Sequence, residues 1–239
     1  MKVLLFDIWG DYGHFRKFYT TSSPLTFSFP PPSTIEGILG AISGVDKQQY
    51  LDVFSPAKCK IAIKITAPVK KVRMGINLIN TKGNYWIPYG NKHHEPRTQI
   101  RTEFVKDPYY RIYFSYKDDN VLERLNGFIK EHKSVYTVSL GLSELLADFK
   151  YIGLCNAECI SDGKKVNLSS TVGFSNLIAD GLEIETGKKY FKEKMPIVMN
   201  PERTIEKYDD VIFEPEGKTI KAKVNAYYRL ENGENITFF

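Results

Sequence analysis

Seven bases, Lys70, Lys71, Arg73, Lys82, Lys92, Arg97 and Arg101, stand against a single acid, Glu95, between Pro68 and Arg101. Tyr85, Trp86 and Tyr89 are interleaved with them. Cations grip phosphates and rings stack on unpaired bases, each stack contributing about 1 to 3 kcal/mol, so this mixture points to a single-stranded polyanion. On charge alone a second reading stays open: a solvated hairpin whose lysines keep its edges from aggregating. A further segment, Tyr12 to Ile35, holds Arg16 and Lys17 with no acid, six aromatics (Tyr12, Phe15, Phe18, Tyr19, Phe27, Phe29) and many hydroxyls. Within it, Ser33 and Glu36 have the spacing of a capping box, and a helix start there would favour an anion. Taken by itself, that segment also suits core rings and turn-forming serines.

Signs of catalysis are thin. The chain has no Walker loop, no Gly-x-Ser-x-Gly elbow and no dinucleotide-type glycine pattern. His93 and His94 are adjacent, so on an extended chain they point to opposite faces and do not chelate one ion. Either could act as acid or base in metal-free RNA cleavage, with Tyr12, Tyr19 or a lysine assisting. Cys59, Cys155 and Cys159 are too few for a disulfide framework and wrongly spaced for a zinc knuckle, which leaves them as small buried thiols. No metal and no cofactor is expected.

These segments need a frame. With 42% hydrophobic and 26% charged residues, the 239-residue chain has the composition of a folded globular protein. The net charge of +5 is unevenly spread, the first 179 residues carrying +7 and the rest −2. No apolar run nears the roughly 18 residues of a membrane span, and the start is unlike a signal peptide, so a cytoplasmic location is expected.

Lys2 to Trp9, apolar but for Lys2 and Asp7, reads as a central strand covered on both faces. A helix from Ser33 to about Ser43 follows, then a half-buried strand, Cys59 to Ile65, with Lys60, Ala62 and Lys64 facing outward. Tyr109 to Tyr116 is a third strand. Asp118, Asp119 and Asn120 open a helix whose stripe is Val121, Leu122, Leu125, Phe128 and Ile129, and Phe149 to Ile160 is a fourth strand. This β, α, β, β, α, β order predicts an α+β, ferredoxin-like (RRM-like) domain over residues 1–160. About forty residues, 66–108, interrupt it where a tight hairpin is usual, and an insertion of that length is usually functional. Residues 161–239, rich in turn signals, predict a small β-rich C-terminal domain.

The run from Phe15 to Pro24, followed by Phe29-Pro30-Pro31-Pro32-Ser33-Thr34-Ile35-Glu36-Gly37-Ile38-Leu39-Gly40, closely resembles the CRISPR-associated Cas-five family of the RAMP superfamily. Pro96-Arg97-Thr98-Gln99, Asp107 to Ile112, Ser139-Leu140-Gly141-Leu142-Ser143-Glu144 and Met195 to Met199 carry the likeness along most of the chain, in a form similar to type I-B systems. The resemblance implies a RAMP palm with an inserted β-hairpin thumb. It also implies a non-catalytic subunit of a Cascade surveillance complex in antiviral defence, capping the 5′ handle of the crRNA. Arg16, Lys17, Tyr19, Thr21, Ser22, Ser33 and Thr34 would line the handle, and Gly141 and Leu142 would shape a turn against it. Lys70, Lys71, Arg73, Met74, Arg97, Gln99 and Arg101 would form the thumb surface, reaching toward a backbone subunit of Cas-seven type. A large subunit of Cas-eight type would be a further partner, and target DNA would be met through the complex. Some type I-C relatives cleave crRNA precursor themselves, which keeps a metal-independent endoribonuclease as the alternative, with His93, His94 and Tyr12 as its candidates.

Overall fold

The computed structural model of the chain describes residues 1–20, 23–79, 81 and 97–239. In chain order the first half holds β1 (Lys2–Trp9), β2 (Tyr12–Gly13), α1 (Pro32–Ser43), α2 (Tyr50–Val53), β3 (Cys59–Ile65), β4 (Lys70–Ile79), β5 (Arg97–Lys106), β6 (Tyr109–Tyr116) and α3 (Asp119–Lys130). The second half is almost entirely strand: β7 (Asp148–Ile160), β8 (Lys165–Leu168), β9 (Val172–Gly173), β10 (Leu177–Leu182), β11 (Phe191–Met199), β12 (Ile205–Phe213), β13 (Ile220–Val224), β14 (Tyr227–Leu230) and β15 (Asn235–Ile236). The protein is mostly β.

One antiparallel sheet of six strands, ordered β15-β14-β7-β1-β6-β3, forms the centre. Apolar residues on both sides of β1 explain its position. Leu4, Phe6 and Ile8 pack with Ile35, Leu39 and Ile42 of α1 and with Leu122, Leu125 and Ile129 of α3. Val3 and Leu5 enter a smaller core on the other face. The buried Asp7 belongs to that second side, where the Arg111 guanidinium donates to its two oxygens at 2.7 and 3.1 Å.

That second face departs from expectation. The alternation of β3 puts Lys60, Ala62 and Lys64 outward, yet Ala62 is fully buried, and the Lys64 ammonium donates to Glu234 at 2.6 Å. The cause lies far along the chain, since Leu230 and Ile236 fold back over Ala62, Tyr113 and Ala157. The Phe239 N–H also donates to the Ile61 carbonyl, which covers the edge of β3.

The start of α1 is also corrected. No side chain caps this helix: Pro31 is the capping residue and Pro32 occupies the first turn, where its missing N–H costs nothing. Glu36 points inward instead of back toward Ser33, and among the described residues no hydrogen bond reaches its carboxyl. Burial pushes that carboxyl up to about 8. By contrast α3 starts as its sequence predicts, with Asp118 accepting from the Asn120 N–H at 2.9 Å. Of the three cysteines only Cys59 is buried, and Cys159 is exposed.

β4 and β5 form a long hairpin paired from Lys70↔Lys106 to Ile79↔Arg97. β2 adds to the outer edge of β5, which fastens the first loop to the base of the hairpin. Beyond residue 160 two three-stranded sheets follow, β10-β13-β8 and β11-β12-β9, while β14 and β15 extend the central sheet. Met195, Ile197, Val211 and Phe213 pack into the same core as β1 and α1. Among the described residues no helix is long and apolar enough to cross a membrane.

Candidate nucleic-acid interface

At the end of the sheet where β1 and β3 finish, a groove of about 460 Å³ opens between four pieces of chain. The first loop supplies His14, Phe15, Arg16, Phe18 and Pro24, the start of α1 supplies Ser33 and Thr34, and the hairpin supplies Ile76, Leu78 and Thr102. Gly141, Leu142 and Glu144 close it, with Pro196, Met199 and Ile205 as floor. An adjoining hollow of about 350 Å³ shares Ser33, Thr34, Gly141 and Met199 and adds Lys47, Tyr50, Thr137, Ser139 and Arg203. The two hollows share that wall, with Arg16 lining the first and Lys47 and Arg203 lining the second.

Backbone pairing sets its shape. The loop doubles back through the Arg16–Thr26 bridge and the Phe27 N–H bond to the Phe15 carbonyl. The His14 N–H then donates to the Leu140 carbonyl at 2.9 Å. At Gly141 φ is +98°, and a Cβ there would lie 1.9 Å from the His14 carbonyl oxygen, so only glycine lets the two segments meet. Because Pro31 and Pro32 have no N–H, the first backbone donor at the mouth of α1 is that of Ser33. His14 is buried and its Nδ1 lies 2.7 Å from the Glu103 carbonyl oxygen, which assigns the proton to Nδ1.

A carboxylate binds loop, hairpin and β11 together. Glu193 accepts from Lys17 at 3.2 Å, from Lys71 at 3.4 Å, and from the Ser28 hydroxyl and N–H at 3.0 and 3.1 Å. Burial alone would push this carboxyl up; the Lys71 charge, the Ser28 donors and Lys17 outweigh it and hold Glu193 below the usual carboxylate range. Lys71 also donates to the Thr26 carbonyl at 2.9 Å. These two lysines are therefore engaged inside the molecule.

The hairpin divides its chemistry between faces. Residues directly opposite in a register share a face, so Val72, Met74, Ile76, Leu78, Ile100, Thr102 and Phe104 lie on one side, together with Lys70 and Lys106 at the base. This is the side whose Ile76, Leu78 and Thr102 line the groove. Lys71, Arg73, Arg97, Gln99 and Arg101 lie on the other. Arg73 is 3.5 Å from Glu103, and Lys70 is 3.9 Å from Asp107.

Of the residues singled out in the sequence, Arg16, Ser33, Thr34, Gly141 and Leu142 come together in the groove, and Met74 is on the groove side of the hairpin. Tyr19 projects outward, 57% exposed, beside Phe18. The Tyr12 ring meets the edge of Phe104. Thr21 and Ser22 lie outside the described residues, as do Lys82, Tyr85, Trp86, Tyr89, Lys92, His93 and His94. Sequence reasoning missed Lys47, Tyr50, Thr137, Ser139 and Arg203. Only Ser139 has a signal nearby, the motif that holds Gly141, whereas Arg203 reaches the Lys47 carbonyl, at 3.4 Å, across 156 positions of chain.

The family model described as CRISPR-associated protein (Cas_Cas5) matches residues 3–211. No curated protein matches the sequence. Among solved structures, the chain is similar to a CRISPR protein from Archaeoglobus fulgidus at 17% identity and a TM-score of 0.57, covering 99% of this chain and 98% of that one. It is similar to a chain of a CRISPR RNA-guided surveillance complex at 10% identity and a TM-score of 0.55, covering 92% and 91%. A chain of the type III-B Cmr-beta complex bound to cognate target RNA and AMPPnP gives 13%, 0.50, and coverage of 92% and 86%. At these identities the likeness is one of fold.

Proposed function

The chain belongs to the CRISPR-associated Cas5 family, and from that premise we propose that it is a non-catalytic subunit of an RNA-guided surveillance complex that holds the 5′ handle of the guide RNA. The single observation that carries this reading is the shared concavity, in which Arg16, Ser33, Thr34 and Gly141 meet beside Lys47 and Arg203. Half-exposed hydroxyls, a backbone donor at a helix start and the lining cations Arg16, Lys47 and Arg203 suit the sugar-phosphate chain, whereas the apolar hairpin side suits base faces.

The strand order β7-β1-β6-β3, with α1 and α3 on one face, supports a ferredoxin-like palm for residues 1–160. The β4–β5 hairpin is then the thumb, directed at a neighbouring backbone subunit, and residues 161–239, which complete the central sheet and share its core, carry the β surface available to a large subunit. A type I-B-like complex, meeting target DNA through its other parts, is the setting in which we place it.

Fluorescence anisotropy with labelled single-stranded repeat RNA tests the reading. Arg16→Ala and Arg203→Ala should each weaken binding and lower the slope of log affinity against log salt by roughly 0.7, the value of one lost phosphate contact on a single strand. Slopes that stay at the wild-type value in both variants would remove the groove from the RNA site. The same RNA, incubated with the protein and a chelator, should stay intact. A discrete cleaved product would overturn the non-catalytic assignment in favour of an endoribonuclease.

A further inference from the structure

From the rim of the groove, where Phe18 sits, six exposed side chains run in a row. Tyr19 meets Phe18 edge-on, with centroids 5.0 Å apart, and Phe18 lies 4.8 Å from Tyr208 on β12. The Lys194 ammonium rests 5.5 Å from the centre of the Tyr208 ring. Two residues back on the same face of β11, Lys192 rests 5.3 Å from Phe174. Tyr19, Phe174 and Tyr208 are 57%, 51% and 38% exposed.

Rings of this size left in solvent together are unusual for a surface that meets only water. The lysines resting on them select the occupant, because a protein core contact disfavours lysine whereas a strand of bases and phosphates needs both rings and cations. Asp210 pairs with Lys192 at 3.0 Å and so offsets that ammonium, while Asp209 accepts from the Ser175 hydroxyl at 2.6 Å. Lys194 pairs with no carboxylate among the described residues. The row starts where the groove ends, since Phe18 belongs to both.

We propose that this row is a second, sequence-neutral track for single-stranded nucleic acid, which carries the strand leaving the groove across β12 and β11 to Phe174. The inference rests on the groove reading above. Each ring offers a base a stacking surface, and the Lys194 ammonium, now lying on the Tyr208 ring, turns to a phosphate when a base takes its place. No base-edge donor or acceptor is required, so the track tolerates any sequence.

Anisotropy of the whole protein with labelled oligoadenylates of two lengths, about six nucleotides to fill the groove and about sixteen to run past it, tests the track. A Phe174→Ala/Tyr208→Ala double variant should bind the longer strand roughly fivefold or more weakly, as expected for lost stacking, and the shorter strand like wild type. Phe174→Leu/Tyr208→Leu keeps apolar bulk without a ring face and should show the same loss. Unchanged affinity for the longer strand, or equal weakening at both lengths, overturns the track and leaves the groove reading standing. Failure of the wild-type chain to bind either length sinks both.

Discussion

At the scale of single residues, two groups carry more than their sequence context suggests. Gly141 holds the groove shut at its back, and a methyl group there collides with the His14 carbonyl oxygen. Gly141→Ala should therefore weaken RNA binding by about tenfold while the far-ultraviolet spectrum stays native, the strain being local and of order 1–3 kcal/mol. Glu36 is a burdened residue of another kind. Its folded-state carboxyl titrates near 8, against an ordinary value of 4.5, so the folded chain keeps a proton that the unfolded chain gives up. Stability from this group is complete below the ordinary carboxylate range, falls as pH rises through it, and levels off above 8. Urea melts of Glu36→Gln should show that slope gone and a gain of about 3 kcal/mol at pH 7. A pH profile parallel to wild type would refute the assignment. The sequence placed Glu36 three residues after Ser33 and so suggested a capping role. It could not reveal that two prolines had already settled the helix start.

Elements were read well where they obey a short period. The alternation of β3 and β6 and the apolar stripe of α3 each follow from which neighbour a strand or helix must bury, and the elements appear with nearly the expected bounds. What joins one element to another was not legible. Glu193 sits in a stretch that the sequence marks only as part of a β-rich C-terminal region, yet it ties the first loop and the hairpin to β11 through Lys17, Lys71 and Ser28. Removing its charge leaves two partly buried ammoniums without the carboxylate they share, and Glu193→Gln should cost about 2 kcal/mol in urea melts at pH 7. Because the folded carboxyl lies below its ordinary range, that difference should shrink as pH falls through the folded value. A variant as stable as wild type at neutral pH would mean that the carboxylate is incidental. The same network accounts for two lysines that charge counting offered to RNA: their partner stands more than a hundred positions away.

For the whole molecule, the decisive surprise is the return of the C-terminal strands over the second face of the central sheet. Ile236 is fully buried there, so Ile236→Ala should lower unfolding free energy by about 2–5 kcal/mol, and a loss under 1 kcal/mol would show that the tail only rests on the sheet. Local patterning sees Ala62 and Lys64 as part of a solvent face because the residues that cover them come about 170 positions later, while Lys60 stays exposed. The groove was half legible for the same reason: Arg16, Ser33 and Thr34 are near in sequence, whereas Lys47 and Arg203 are brought in by folding. The two-sided hairpin has a last consequence. Its oily and charged flanks are assigned by odd and even positions alone, so losing or gaining one residue within either strand would exchange them without altering composition. In evolution, point substitution in β4 and β5 is thus far cheaper than any single-residue indel, and length changes should be confined to the stretch between the two strands.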